Sequence, residues 1–532
     1  MKILFIYPKF PSSFWSFEKA LELSGHKALL PPLSLITVAA LLPQEWEFRL
    51  KDRNIGDEIS EDDWQWPDIV AFSGMIVQKP DMLHLIREAK KRGKQVAAGG
   101  PYVTSLSEDA LEAGADFLIL DEGEITLPLF VAALEQGATS GVFRADGKRP
   151  EVTSTPIPRY DLLNMNAYAK MSVQFSRGCP FQCEFCDIIV LYGRKPRTKT
   201  SAQVLAELQA LYDTGWRQTI FMVDDNFIGN KKNVRALLQE LIPWQQEHDY
   251  PFVFTTEASL DLAEDQELLD LMIAANFGAV FLGIETPDTA SLLRSKKSQN
   301  TRQPMVESVR KINQAGIRVM AGLIIGFDGE EAGAGQRIID FVEETAIPQP
   351  LVTMLQALPH TALWHRLEKE GRLLTQLEGN INQTTITNFI PTRPMAEIVE
   401  EHIACFWHLY EPERYLERTY RHYLHMGSRP QGKKKQKPEL HQLWGALILF
   451  WRQGVKRNTR VQFWRQLFLI LKHNPRVING YLATCAILEH LIDYRAIARR
   501  EIEAQLATFP QHEPASSGGE AKAKVVQEEE QP

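Results

Sequence analysis

The stretch SRGCPFQCEFCDI, Ser176–Ile188, decides the fold of this 532-residue chain, because it holds three of the five cysteines in the spacing CxxxCxxC: Cys179, Cys183 and Cys186. Three thiolates on one short loop can bind three irons of a [4Fe–4S] cluster. The fourth iron would then lack a protein ligand and could bind a small molecule. The motif therefore predicts an iron–sulfur site that is open at one corner.

Two other interpretations of the three cysteines are a structural zinc site and three thiols without a shared function. Structural zinc takes four ligands, usually in two pairs. The chain offers no such second pair, since His360 and His365 are an isolated couple. Three incidental thiols are the other alternative. The cluster is favoured over both.

The cysteine motif and its surroundings resemble the radical-SAM superfamily. The resemblance implies that S-adenosylmethionine (SAM) chelates the open iron through its amino and carboxylate groups. An electron from the cluster would then cleave the sulfonium to a 5′-deoxyadenosyl radical. It also implies an open (β/α)6 barrel with its chemistry at the carboxyl ends of the strands.

Length, net charge and cysteine content limit the architecture, partners and cellular location that we expect. The length predicts three domains, or two plus an extension. The net charge of −8 does not favour nucleic acid, and we interpret the basic run at 432–437 as a solvated loop. Few cysteines indicate a reducing cytoplasm, with Cys405 and Cys485 as buried free thiols. Without a signal peptide or an apolar run of about 18 residues, we expect no membrane span, only a soluble or peripheral protein.

Residues 1–142 alternate apolar strands with helical stretches, which predicts a Rossmann-like α/β domain with a doubly wound parallel sheet. Such sheets bind ligands beyond the carboxyl ends of their strands. Small and acidic residues follow three of the predicted strands there, namely Ser73, Gly74, Gly99, Gly100, Glu122 and Gly123. Glycine at these ends lets the backbone approach a ligand closely, although it is also ordinary in turns.

The run PPLSLITVAALLP, Asp52, GGPYVTS and DEGEITLP together resemble the cobalamin-binding domain that precedes many radical-SAM cores. The resemblance implies that those six residues contact cobalamin, whose nucleotide tail would insert into the sheet. The D-x-H-x-x-G motif that supplies a cobalt-ligating histidine is missing. Its nearest string, Asp52–Gly56, has Asn54 where histidine would stand, and we expect it away from the ligand. A scaffold that has lost cobalamin is the alternative.

Residues 143–168 read as a linker and 169–360 as the barrel, with six strand–helix units. Its first strand is predicted at Ser172–Ser176. The resemblance implies SAM contacts from the strand ends, at Glu257, Gly283, Glu285 and Gly326. For each carboxylate the alternative is a helix cap or an ion-pair partner. Arg294, Lys296 and Lys297 are candidates to face the SAM carboxylate or to form a solvated basic turn.

After Pro359 the pattern becomes helical, which predicts an extension over 361–510, including helices at Pro438–Gly454 and Arg460–His473 and a last pair across Ile478–Leu506. We expect Phe463–Leu471 to pack on the barrel, with a membrane-facing groove as the sharper alternative. Residues 511–532 form a predicted disordered tail.

The strings GLIIGFDG, LPHTALWHRLEKEG and TNFIP resemble the subfamily that includes hopanoid C-2 methylases. His360 departs from its usual LPGT turn, which puts that turn and the substrate in doubt. The resemblance implies a cobalamin-dependent radical-SAM methyltransferase: one SAM generates a substrate radical, methylcobalamin donates the methyl group, and a second SAM restores it. The cofactors are then a [4Fe–4S] cluster, SAM and cobalamin.

Two alternative functions remain open from the sequence. One keeps both cofactors but ends in oxidation, cyclisation or rearrangement, and the other is a corrinoid or redox sensor without turnover. Expected partners are a small-molecule or lipid substrate, hydrophobic by analogy, and a reductant such as flavodoxin or ferredoxin. We expect residues 361–510 to select the substrate without supporting cofactor chemistry, with Asn388 and Phe389 as specificity residues.

Overall fold

Two parallel six-stranded sheets followed by a helical extension make up the computed structural model, which describes residues 1–374, 381–430, 432 and 440–509. The predicted α/β class and its three-part organisation are confirmed. The predicted tail, the basic run except Gly432, and the start of the helix predicted from Pro438 lie outside the described residues.

The first sheet has the order β2-β1-β3-β4-β5-β6, with every pair parallel. Its central strand β1 has the sequence KILFIY, and its four inner residues are almost fully buried because helices cover both faces. The strands are β1 (Lys2–Tyr7), β2 (Glu47–Asp52), β3 (Ile69–Ser73), β4 (Gln95–Gly99), β5 (Phe117–Ile119) and β6 (Gly141–Phe143). The helices are α1 (Glu18–Ser24), α2 (Leu33–Leu41), α3 (Glu61–Gln65), α4 (Lys79–Lys91), α5 (Gly100–Ser105), α6 (Ser107–Glu112) and α7 (Gly123–Glu135).

The second sheet is the partial barrel. Six of its strands pair in parallel in the order β14-β13-β12-β11-β10-β7, and β8 and β9 form a short antiparallel ribbon. The strands are β7 (Lys170–Val173), β8 (Ser176–Arg177), β9 (Arg197–Thr198), β10 (Thr219–Met222), β11 (Val253–Ala258), β12 (Phe277–Glu285), β13 (Arg318–Ile325) and β14 (Pro350–Met354). The helices are α8 (Ile188–Leu191), α9 (Ser201–Asp213), α10 (Lys231–Glu247), α11 (Gln266–Ala274), α12 (Thr289–Arg294), α13 (Met305–Ala315) and α14 (Ala334–Thr345).

The extension is helical throughout its regular part and shares one continuous core with the barrel. Its helices are α15 (Ala362–Lys369), α16 (Met395–Leu409), α17 (Pro412–Leu424), α18 (Leu440–Trp451), α19 (Arg460–His473) and α20 (Ile478–Thr508). Cys405 on α16 and Cys485 on α20 are fully buried, as predicted.

Four secondary-structure predictions were wrong in detail. The strand β6 was missed, because three residues carry almost no periodic signal. The strand predicted at Ser172–Ser176 is divided between β7 and β8. The last helix pair is one helix, α20, because nothing in Ile478–Leu506 breaks it. Finally, α19 packs on α17 and α20 rather than on the barrel sheet, and half of its apolar residues face outward.

Candidate active site

The cysteine loop leaves β8 and is held by three consecutive side chains that follow β10. The Asp224 carboxylate accepts hydrogen bonds from the Ser176 and Phe175 amides. Asp225 accepts from the Gly178 amide at 3.0 Å, and Gly178 needs its φ of +92° there. The segment that follows β10 therefore positions the backbone immediately before Cys179.

The sulfur atoms have polar and cationic neighbours. Asn226 Nδ2 lies 3.9 Å from Cys179 Sγ, and Gln299 Nε2 lies 3.7 Å from Cys183 Sγ. Lys297 interacts electrostatically with Cys183 and Cys186. Amide donors and a cation are suitable surroundings for thiolates and cluster sulfides. The donor set therefore fits an iron–sulfur cluster held at three corners.

Burial raises the pKa of the Cys179 and Cys186 thiols, and the Asp187 carboxylate adds to the rise at Cys186. In the described part of the chain, no three His, Cys, Asp or Glu side chains are arranged to hold a metal ion. A thiol must lose its proton to bind metal, so binding of the cluster has to overcome this effect of burial.

Glu285 and Lys297 form the polar wall opposite the cysteines. Lys297 Nζ lies 2.6 Å from Glu285 Oε1, and Glu285 adopts a left-handed φ of 65° at the end of β12. A Cβ on Gly283 would lie 2.4 Å from Glu285 Oε1 and 2.9 Å from Lys297 Nζ. A side chain at position 283 would therefore displace the Glu285–Lys297 ion pair from the end of the strand. Of the three basic candidates, only Lys297 faces the cysteines; Arg294 and Lys296 are exposed.

The other two predicted SAM contacts lie on neighbouring strands. Burial raises the pKa of Glu257 on β11 to about 8, and the charges of Asp225 and Asp224 add to this. The Gly326 amide donates to Glu330 Oε2 at 2.8 Å. The strand order brings Glu257, Gly283, Glu285 and Gly326 to one end of the sheet, while their contact with SAM stays a prediction.

A cavity of about 850 Å³ lies between the first sheet, the barrel and the extension. All six residues predicted to contact cobalamin line it: Ser73, Gly74, Gly99, Gly100, Glu122 and Gly123. On its barrel side the cavity is lined by Phe221 of β10, by Val223 directly after that strand, and by Trp15 of the N-terminal domain. One cavity therefore borders both the carboxyl edge of the N-terminal sheet and the ends of the barrel strands β7 and β10, while the three cysteines and the predicted SAM contacts are not among its described lining residues.

Gly74, Gly99, Gly100 and Gly123 line one side of this cavity, and we call them the glycine edge. Without side chains there, a ligand can approach the backbone closely. A Cβ on Gly100, whose φ is +88°, would lie 2.4 Å from Ser73 Oγ, and one on Gly99 would lie 2.7 Å from Ile119 O. No histidine is found among the described residues that line the cavity. Asn54 lines the cavity from the turn after β2, where its side-chain amide accepts from Phe10 N and donates to Pro8 O.

Buried ion pairs join the cavity wall to the cysteine loop. Arg177, two residues before Cys179, contacts both Glu122 and Glu124 at 2.9 Å. Arg197 on β9 donates to the two Glu122 oxygens at 2.8 and 3.0 Å. The Glu122 carboxylate is thus engaged by two arginines, and it braces the wall between the two domains.

The extension contributes to the site differently from what we predicted. Asn388 and Phe389 are fully buried, and Asn388 bonds the amide and carbonyl of Ala357 at 2.8 and 2.9 Å. Among the described residues of the same connection, 381–391, it is Asn382 and Gln383 that line the cavity. Connector positions had been mistaken for binding positions, because the sequence pattern gives no side-chain direction.

The extension also contacts the cluster loop, while its independence from cofactor chemistry stays a prediction. Arg366 on α15 bonds Glu184, which lies between Cys183 and Cys186, with its Nε at 2.8 Å. His360 adopts a left-handed φ of 64° and places Nε2 3.0 Å from the Ser105 carbonyl of α5. This histidine therefore takes a conformation that favours glycine and links the turn to the N-terminal domain.

Sequence reasoning missed Arg177, Arg197 and Gln299. Arg177 stands inside the quoted motif, which was a signal, whereas nothing local marks Gln299 as a neighbour of Cys183. The long sequence separation from each partner, such as Arg177 to Glu124, explains the omission.

Comparison with known proteins defines the class. Residues 173–342 match the radical SAM superfamily, 26–131 match the B12 binding domain, and 361–504 match a domain of unknown function, DUF4070. Together with the cysteine loop and the glycine edge, these matches define a cobalamin-dependent radical SAM enzyme whose cofactors are a [4Fe–4S] cluster, SAM and cobalamin. The described residues include no helix long and apolar enough to cross a membrane.

The chain belongs to the cobalamin-dependent radical SAM methyltransferases. It is 61% identical to the uncharacterized methyltransferase sll1242 of Synechocystis sp., covering 96% of this chain and 95% of that protein. It is 35% identical to the hopanoid C-2 methylase of Rhodopseudomonas palustris, covering 94% of each. The fold is also that of the radical SAM methyltransferase TsrM from Kitasatospora setae, with a TM-score of 0.59, 15% identity and coverage of 87% and 98%.

Proposed function

We propose that this methyltransferase places a methyl group on an unactivated carbon of a hydrophobic, polycyclic terpenoid lipid. The observation that carries the proposal is the single cavity that borders both the glycine edge and the ends of the barrel strands β7 and β10. The 35% identical relative is named for methylation of a hopanoid at C-2, which supports the lipid class.

The cavity has apolar walls at its barrel end. Trp15 meets Phe281 of β12 edge to face, with ring centroids 5.5 Å apart, and Phe221 and Val223 line the same side. An apolar wall suits a hydrocarbon and excludes water, which protects a radical from side reactions. The cofactors supply the bond-breaking chemistry when bound, so no acid–base residue is required.

The proposed reaction balances as follows. One C–H bond of the substrate breaks and one C–CH3 bond forms. One SAM yields methionine and 5′-deoxyadenosine, which takes the hydrogen, and another yields S-adenosylhomocysteine after giving up its methyl group. Two electrons neutralise the two sulfonium charges, and we assign their supply to a reductant such as flavodoxin or ferredoxin in the cytoplasm.

The site residues have separate proposed tasks. Cys179, Cys183 and Cys186 hold the cluster, and Lys297 with Glu285 faces the SAM bound to it. Ser73, Gly74, Gly99, Gly100 and Gly123 bring the backbone to cobalamin, while Glu122 and Arg177 fix the two cofactor sites relative to each other. The buried hydrogen-bond donors and ion pairs at these positions support this assignment of tasks.

The test is an anaerobic incubation of reconstituted enzyme, reductant, membrane-lipid extract and SAM carrying a trideuterated methyl group. We expect one lipid to gain a trideuteromethyl group, with one 5′-deoxyadenosine and one S-adenosylhomocysteine per product. Formation of 5′-deoxyadenosine with an altered but unlabelled product would instead establish oxidation, cyclisation or rearrangement. Comparison of lipids from a deletion strain and its complemented parent identifies the physiological product.

A further inference from the structure

One face of α18 and of the turn after it is apolar and exposed. The exposed side chains recur at helical spacing, which makes a stripe instead of scattered positions. They are Leu443, Trp444, Leu447, Trp451 and Val455, between 49% and 66% exposed. A stripe of this kind on a stably folded helix indicates a surface that meets an apolar environment.

A second stripe lies on α19, formed by Val461, Trp464, Phe468 and Leu471, which are 46% to 73% exposed. The two stripes meet, because Trp464 stacks on Phe450 with centroids 5.6 Å apart and donates its indole N–H to Gly454 O at 2.9 Å. The opposite side of α19, with Phe463, Leu467 and Ile470, is buried. We call the two exposed stripes together the apolar ridge.

The segment that carries the apolar ridge has charges of one sign. Between residues 440 and 488 the chain has seven Lys and Arg and no Asp or Glu, although its net charge is −8. Lys456, Arg460, Arg465 and Lys472 are exposed, and none of them has an ion-pair partner among the described residues. Arg457 differs, because it pairs with Glu489 at 2.8 Å.

We propose that the apolar ridge docks on the surface of an anionic phospholipid bilayer. Tryptophans on short amphipathic helices, flanked by unpaired cations, are typical of segments that lie in the membrane interface. Helices of 12 and 14 residues are too short to span a bilayer. A second copy of the chain is disfavoured as the occupant, since a two-fold interface would bring two unbalanced basic patches together.

The apolar ridge is connected to the cavity through α1. A Cβ on Gly445 of α18 would lie 1.8 Å from Leu23 O of α1, so the two backbones are in close contact. The segments on both sides of α1 line the cavity, with Trp15 and Ser16 before it and Ala28 to Leu30 after it. Docking therefore places the bilayer on the outer face of α18, with α1 and the edge of the cavity directly behind that helix. This route for a lipid rests on the proposed function, whereas docking itself does not.

The test is flotation of the full-length holoenzyme with vesicles of phosphatidylcholine, with and without phosphatidylglycerol. We expect binding to the anionic vesicles that weakens in about 1 M salt, where charges are screened beyond about 3 Å. Trp444→Ser combined with Phe468→Ser should lower partitioning by about tenfold or more. Lys456→Glu combined with Arg465→Glu should abolish the preference for anionic lipid.

Matched controls are Trp407→Ser, an exposed tryptophan outside the apolar ridge, and Lys232→Glu, an exposed lysine on α10. Both should bind vesicles like the unaltered protein. Cobalamin absorption shows that each variant is folded, and the charge variants provide an independent test should the apolar pair misfold. Failure of the folded holoenzyme to bind either vesicle, or a dimer that the apolar variants dissociate, would overturn the proposal. Vesicle binding does not need turnover, so this result is independent of the substrate.

Discussion

Arg177 and Glu124 form a two-point ion pair between the barrel and the N-terminal domain, with Nη1 and Nη2 each 2.9 Å from one carboxylate oxygen. The two side chains are only 11% and 4% exposed. Because Cys179 follows Arg177 by two residues and Gly123 precedes Glu124, the pair fixes the cysteine loop against the glycine edge. Together with the bonds from Arg177 and Arg197 to Glu122, this pair holds the two cofactor sites at a fixed distance.

Replacing Arg177 with Met should destabilise the protein by roughly 3–5 kcal/mol, because the Glu124 carboxylate would stay buried without its partner. Methylation should fall further than SAM cleavage, since the cluster site and the cobalamin site would no longer be held at a fixed distance. Arg177→Lys keeps the charge and should recover stability better than methylation. Urea denaturation and product ratios measure this; equal losses of cleavage and methylation would refute the linking role.

The same pair gives a pH dependence of known sign. Burial acts to raise the pKa of Glu124, but the Arg177 guanidinium outweighs burial and holds that pKa below its ordinary value. A carboxyl with a lowered folded pKa stabilises the protein above its unfolded pKa, and this stabilisation is lost as pH falls. The urea midpoint of the native protein should therefore drop more than that of Arg177→Met as pH falls from about 5 through the lowered pKa of Glu124.

Cys183→Ala should abolish both the [4Fe–4S] absorption and SAM cleavage, because two thiolates hold the cluster poorly. The matched control replaces Cys405 and Cys485 with Ala. Both are fully buried outside the site, so the control should keep the cluster and lose about 1 kcal/mol of stability at each position. Iron analysis and 5′-deoxyadenosine yield distinguish the two; unchanged iron in Cys183→Ala would contradict the assignment.

Bound cobalamin should carry no protein histidine on cobalt, since none lines the cavity in the described residues and Asn54 occupies the motif position. The cob(II)alamin form should lack nitrogen superhyperfine splitting from a histidine in its electron paramagnetic resonance spectrum. Observation of that splitting would show that another part of the chain reaches the cobalt. Absence of cobalamin binding would favour a scaffold that has lost the cofactor.

Two positions of one loop should respond differently. Gln383 lines the cavity and accepts from Phe14 N at 2.8 Å, so Gln383→Leu should reduce product about tenfold while SAM cleavage persists. Asn388→Ala should cost roughly 2–4 kcal/mol, because it leaves both polar groups of Ala357 unpaired, with an unchanged ratio of product to cleavage. If Asn388→Ala instead changed that ratio, the loop would act on the substrate through its buried side.

Local patterns were sufficient for much of this architecture. The cysteine spacing, the six apolar barrel strands and the glycines after β3 and β4 are each encoded within a few residues. The Arg177–Glu124 pair is not, since 53 residues separate its members. For Phe463–Leu471 the two alternatives stayed open, because a stripe at helical spacing looks the same in sequence whether it packs on a core or faces outward. Side-chain direction likewise separated Gln383 from Asn388.

Whether the cavity brings the methyl group from cobalamin to the substrate is measured in a single turnover. Enzyme loaded with cobalamin carrying a trideuteromethyl group is mixed anaerobically with reductant, lipid substrate and unlabelled SAM, and the first product is analysed by mass spectrometry. If cobalamin donates the methyl group, we expect this first product to contain the trideuteromethyl group and later products to lack it. A first product with an unlabelled methyl group, or with no added methyl group, would contradict it.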